Sequence, residues 1–179
     1  MNGLSTSDLV AVFIDGSNLY HAIKSAYTRT DIDLHKLATK LVAGRRMYRV
    51  YYYNSPVPGP SEAHRAQQRF FEAIRRMPYF TLRLGSLSPR EAESECPNCG
   101  HQFQNASYVQ KGVDAQLALD MLNHAWRGNY HVAVLVAGDA DFAGMVHAVQ
   151  ELGRQVENAF VPGQMWARTL RETATDGRS

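Results

Sequence analysis

Val10-Ala11-Val12-Phe13-Ile14-Asp15 is an unbroken apolar run that ends on a carboxylate, and Val132-Ala133-Val134-Leu135-Val136 repeats the device, leading through Ala137 and Gly138 to Asp139 and Asp141. Short β-branched runs without polar alternation read as strands buried on both faces, the kind found in parallel sheets. Carboxylates just past the carboxyl ends of such strands gather at the rim where α/β sheets bind their ligands. Several carboxylates at one rim call for a cation.

Outward from these two strands, the pattern predicts strand 8–14, helix 17–27, helix 33–43, strand 47–53, helix 60–76 and strand 79–85. An irregular insertion follows, then helix 113–126, strand 131–137, helix 141–152 and strand 155–161. Strands alternating with helices give an α/β fold with a mostly parallel central sheet and helices on both faces. The 179 residues read as one domain over 1–163, with 86–106 as the insertion and 164–179 as a short C-terminal helix and polar tail. If the two Asp-tipped strands are neighbours where strand order reverses, Asp15, Asp139 and Asp141 flank one crevice.

Helix 113–126 adds a fourth carboxylate. At about 100° per residue, Val113, Leu117, Ala118, Met121, Leu122 and Ala125 span one apolar arc, and Asp114 falls near its middle. A carboxylate there needs a partner, because burying it unpaired costs several kcal/mol. In the first turn it also answers the free N–H groups of the helix, and Asp15 and Asp139 have similar capping roles open to them. Three segments placing Asp at one rim favour a shared ligand. Asp120, at the edge of the arc, reads as a supporting or salt-bridge residue. Gathered carboxylates repel, and a hard divalent cation, Mg²⁺ or Mn²⁺, relieves that repulsion with oxygen-only ligands. Such an ion lowers the pKa of bound water and stabilises the leaving oxygen of a phosphodiester. Ser17 and Asn18 open the first helix, where they either cap it or hydrogen-bond metal waters or phosphate.

The net charge of +2 hides an asymmetry: residues 21–90 carry 13 Lys and Arg against 4 Asp and Glu, a balance of +9, which leaves −7 elsewhere. An anionic centre beside a cationic quarter suits an anionic polymer, although Arg-rich surfaces also serve solubility alone. The longest purely apolar run, Leu9 to Ile14, is too short to cross a bilayer, so no membrane partner is expected and the chain is read as cytoplasmic.

With these residues in hand, the chain resembles NYN domain proteins of the LabA-like group, within the PIN-like nuclease superfamily. The matching blocks are Phe13-Ile14-Asp15-Gly16-Ser17-Asn18-Leu19-Tyr20, Lys111-Gly112-Val113-Asp114 followed by Leu117, Asp120 and Met121, and Gly138-Asp139-Ala140-Asp141-Phe142 with Glu151-Leu152-Gly153 after it. The resemblance implies a Rossmann-like PIN fold and a metal-dependent nuclease acting on RNA or other single-stranded nucleic acid, with Asp15, Asp114, Asp139 and Asp141 as metal ligands and catalytic residues. The group often has Ser where this chain has Ala137 and Ala140, and Glu where it has Gln110. These departures leave every implied ligand in place and alter hydrogen bonding around them. Some members regulate without evident cleavage, so a nucleic-acid-binding regulatory module is the alternative. A haloacid-dehalogenase-like phosphatase would need a second Asp two residues after Asp15, where this chain has Ser17.

Two further features concern substrate and structure. Arg65, Arg69 and Arg76, with Glu72 among them, form a basic stripe on helix 60–76, and together with Ser17, Asn18 and Lys111 they make up the expected substrate-binding set. Arg45, Arg46 and Arg49 precede Tyr51, Tyr52 and Tyr53, which either stack on unpaired bases or pack as strand residues. Cys96-Pro97-Asn98-Cys99-Gly100 has the C-x₂-C spacing of half a zinc site. A structural Zn²⁺ would need His101 with another histidine, or the same pair from a second copy in a homodimer; a redox pair or remnant is the other reading.

Overall fold

The computed structural model describes residues 6–27, 30–95, 98–161 and 176–178. In chain order its elements are β1 (Leu9–Asp15), α1 (Gly16–Tyr27), α2 (Leu34–Val42), β2 (Arg46–Asn54), α3 (Glu62–Arg76), β3 (Phe80–Leu84), β4 (Ser86–Glu95), β5 (Gln102–Lys111), α4 (Val113–Trp126), β6 (Val132–Val136), a 3-10 turn at Ala140–Phe142, α5 (Ala143–Glu151), β7 (Gln155–Ala159) and β8 (Asp176–Arg178).

Six strands form one sheet in the order β3-β2-β1-β6-β7-β8, and each pairing in it is parallel. β1 and β6 are hydrogen-bonded neighbours, with Phe13 opposite Leu135 and Ile14 opposite Val136. From β1 the chain runs outward through β2 to β3, and from β6 in the other direction through β7, so strand order reverses between β1 and β6. That is the crevice the sequence called for, and the α/β fold with helices on both faces is as expected.

The two-residue period of the strands sorts the core into two layers. Val10, Val12 and Ile14 face Leu34, Leu41, Phe71 and Ile74 under α2 and α3. Ala11 and Phe13 face Leu117, Met121, Val146 and Val149 under α4 and α5. Tyr51, Tyr52 and Tyr53 are almost wholly buried in these layers, so they pack as strand residues and present no ring for a base to stack on.

Two parts depart from expectation. The insertion is not irregular: β4 and β5 pair antiparallel over their full ten residues, Ser86 opposite Lys111 and Glu95 opposite Gln102. β5 then turns directly into α4 through Gly112, whose φ of +84° suits a residue without a β-carbon. Cys96 and the expected short helix after residue 163 lie outside the described residues, while Cys99 is free and exposed. Where a polar tail was expected, Asp176–Arg178 pairs with β7 as a sixth strand. The ladder is made by main-chain groups, so pairing at that open edge does not require an apolar sequence.

Candidate active site

Asp15 ends β1 and is 3% exposed. Its Oδ1 accepts from the backbone N–H of Ser17 and of Asn18, each at 3.0 Å, and its Oδ2 accepts from Asn18 Nδ2 at 2.6 Å. The carboxylate is thus pinned by the first turn of α1. Asn18 reaches further: its Oδ1 accepts from Gly138 N–H at 3.4 Å, which ties the end of β1 to the turn after β6. The Asn18 amide is therefore spent on holding the two motifs together, while Ser17 lines open space.

Asp139 and Asp141 stand exposed beyond the end of β6. Asp139 Oδ1 accepts from Asp141 N–H at 3.0 Å and so caps the 3-10 turn. Asn158, fully buried in β7, braces the same corner: its Nδ2 donates to the carbonyls of Leu135 and Ala137 at 3.1 and 3.0 Å. The sequence carried a signal for it, a lone amide in the run Val156-Glu157-Asn158-Ala159 that burial obliges to find partners.

Asp114 lies in the first turn of α4 and is exposed, contrary to its expected inward aim. The buried stripe of α4 is Val113, Leu117, Met121 and Ala125; Asp114, though close to it in angle, sits at the start of the helix. Partial burial, and then the charges of Asp15, Asp139 and Asp141, hold its carboxyl above the usual carboxylate range. Four carboxylates from three segments therefore share one electrostatic neighbourhood. Among the described residues, no three His, Cys, Asp or Glu side chains stand close enough together to grip an ion directly. The donor set nevertheless suits a hard cation: it is all carboxylate, and Mg²⁺ keeps much of its water shell and needs only one or two direct carboxylates.

None of the other expected site residues is among the charges that act on Asp114. Asp120 falls on the far edge of the α4 stripe, where it accepts from Tyr53 Oη at 3.0 Å and pairs with Arg83 Nε at 2.9 Å. Lys111, three residues before Asp114, is exposed. Arg65 and Arg69 both bond Glu62, at 2.8 and 3.2 Å, and Glu72 takes Arg75. At about 100° per residue, Arg65, Arg69 and Arg76 fall roughly half a turn from the Ala63, Gln67 and Phe70 face that α3 presents toward α1. The stripe therefore lies on the side of α3 turned away from α1.

A family model for the NYN domain matches residues 9–177. No curated protein matches the chain. Among solved structures, a protein of unknown function from Vibrio parahaemolyticus is similar at 20% identity and a TM-score of 0.68, covering 98% of this chain and 94% of that one. A likeness of that kind shows a shared fold. A chain from Parabacteroides merdae is 12% identical with a TM-score of 0.38, over 96% of this chain and 30% of that one.

Proposed function

The chain belongs to the NYN domain family of the PIN-like nuclease superfamily, and from that premise we propose that it is a metal-dependent endoribonuclease that hydrolyses RNA phosphodiester bonds at the rim between β1 and β6. The observation that carries this reading is the raised carboxyl of Asp114, held up by partial burial and then by the charges of Asp15, Asp139 and Asp141. Like charges gathered at the carboxyl ends of parallel strands cost stability, and function is what such a cost is kept for. A bound Mg²⁺ or Mn²⁺ would supply charge neutralisation at the phosphate and a water acidic enough to attack it.

The chain's own part is placement. Asp15 and Asp139 would hold the ion, the first fixed by three donors of α1 and the second by its turn. Asp114 and Asp141 would orient its waters and take up the proton that the attacking water sheds. Ser17 and Lys111 are the groups best situated to meet the strand, Ser17 by its place beside Asp15 and Lys111 as an exposed cation at the root of α4.

The test is incubation of the protein with end-labelled RNA and Mn²⁺, with and without chelator, beside Asp15→Asn and Asp139→Asn. Internal cleavage that needs the metal and falls at least about a hundredfold in both variants is expected. Equal cleavage by the variants would remove the assignment. Tight RNA binding without cleavage by the wild type would turn the reading to a regulatory module.

A further inference from the structure

A cavity of about 520 Å³ opens between α1, the end of β2 and α3, lined by Ser17 and by none of the four carboxylates. Its size lies within the range of small-molecule sites, roughly 300–1,000 Å³. The walls are apolar and aromatic, with Leu19, Ile23 and Ile32 on one side and Ala66 and Phe70 on the other. Polar residues share the lining: Ser17, Tyr52 and Asn54 from the start of α1 and the end of β2, with His21, Thr30 and Gln67, the last of which already bonds Val57 and Ser55.

The sequence keeps this floor open at a definite position. A β-carbon at Gly16 would collide with the Tyr52 ring, so the glycine lets that ring pass beneath the turn that pins Asp15. Phe70 meets the same ring edge to face, with centroids 5.6 Å apart. The Tyr52 hydroxyl accepts a long bond, 3.4 Å, from Asn54 Nδ2. Burial, with a smaller contribution from the Asp15 charge, pushes that hydroxyl up to about 12, so at neutral pH it keeps its proton and is a donor. Two residues thus join cavity and carboxylates: Ser17, whose N–H holds Asp15, and Tyr52, which feels the Asp15 charge.

We infer that this cavity is a nucleoside subsite, which takes one unpaired base of the strand lying over the carboxylates, walled by Phe70 and read by the Tyr52 hydroxyl, which Asn54, itself held by Ser55 N–H, orients. Apolar walls that include an aromatic ring, with hydrogen-bonding groups among them, are the chemistry of a heterocycle with hydrogen-bonding edges. A paired base cannot enter, so the subsite selects single-stranded RNA. The inference rests on the nuclease reading for the identity of the ligand, and its test is kept separate from cleavage.

Binding of AMP, CMP, GMP, UMP and ribose 5-phosphate is measured by NMR titration of the wild type, of Ala66→Phe, which fills the cavity from an exposed helix position, and of Tyr52→Phe, which removes one oxygen atom. At least one mononucleotide is expected to bind about tenfold or more tightly than ribose 5-phosphate. Ala66→Phe should weaken that binding at least about tenfold and Tyr52→Phe about threefold to tenfold. Mononucleotides no tighter than ribose 5-phosphate, or unchanged in a folded Ala66→Phe, overturn the subsite even where wild-type cleavage of RNA is normal. If Ala66→Phe does not fold, Tyr52→Phe decides by the same criterion. Base-dependent binding lost in the variants, from a protein that cuts no RNA, keeps the subsite and removes the nuclease.

Discussion

At the scale of single residues, the rim separates side chains that would do chemistry from side chains that hold them. Asp114 is the clearest of the first kind, since its carboxyl is raised by burial and by three neighbouring negative charges. A raised carboxylate binds its proton more tightly folded than unfolded, so the metal-free protein loses stability as pH rises from the ordinary carboxylate range through the raised value. Asp114→Asn should therefore melt higher than the wild type in chelator at pH 7, and its gain in Tm on adding Mn²⁺ should shrink, both read by thermal denaturation. A variant that melts lower in chelator would mean that Asp114 serves as a helix cap and is not under like-charge pressure. Asn18 is of the second kind, because its amide touches both Asp15 and Gly138. Asn18→Ala should raise the Mn²⁺ concentration for half-maximal cleavage about 10–100-fold, the usual consequence of losing a group that orients a ligand. A contact to phosphate would instead raise KM for RNA and leave the metal titration where it was.

At the scale of elements, α4 serves two sides of the molecule. Asp114 looks over the rim, while Asp120 and His124 tie the helix to β2 through Tyr53 and Tyr51. His124 Nε2 meets Tyr51 Oη at 2.9 Å, its Nδ1 meets Asn129 Nδ2 at 2.8 Å, and the Tyr48 ring stands edge-on. Burial holds His124 below the ordinary histidine range, assisted by Arg127, Arg83 and Arg49 and opposed by Asp120. The unfolded chain takes up the proton first as pH falls, so the fold loses stability below about pH 6.5, through the depressed value. Urea unfolding at pH 7.5 and 5.5 should show a smaller acid loss in His124→Gln than in the wild type; equal losses would place the titration elsewhere. The same helix shows what was legible beforehand. Its span, Val113–Trp126, is visible in the apolar period, as β1 and β6 are in their unbroken runs. The outward aim of Asp114 is not, because angle on a helix says nothing of where the helix lies along the sheet. The hairpin β4–β5 was hidden for a different reason: Pro89 and a mostly polar sequence give no alternating face, and only its partner strand makes it regular. For α3 the angular position of the Arg stripe is readable, as is the i, i+3 spacing that brings Arg65 to Glu62, but the turn of Arg69, seven residues on, to the same carboxylate is not.

At the scale of the whole molecule, the rim exists because two halves of the sheet are held in register across β1 and β6. Beneath α2, Arg45 makes a fork to Glu157 of β7, Nη1 to Oε1 at 2.8 Å and Nη2 to Oε2 at 3.0 Å, with both side chains almost fully buried. The remaining Arg45 donors cap the end of α2, Nε to the Val42 carbonyl at 2.9 Å and Nη2 to Leu41 at 3.1 Å. One cation therefore joins the helix layer that follows β1 to a strand beyond β6, across the line where strand order reverses. Neither residue announces the other in sequence, since 112 positions separate them and each reads alone as a surface charge. Breaking such a pair leaves a buried charge unmatched, whereas removing both ends together leaves apolar space. Arg45→Met should cost about 3–5 kcal/mol in urea unfolding. Glu157→Leu should cost a similar amount, and Arg45→Met with Glu157→Leu clearly less than the two single losses added together. Additive losses would mean that Arg45 acts through its bonds to α2 and not through Glu157. If the halves are set by this tie, the single variants should also bind Mn²⁺ more weakly than the wild type below their melting range. The double variant, with the charges gone and the core closed, should recover most of that binding.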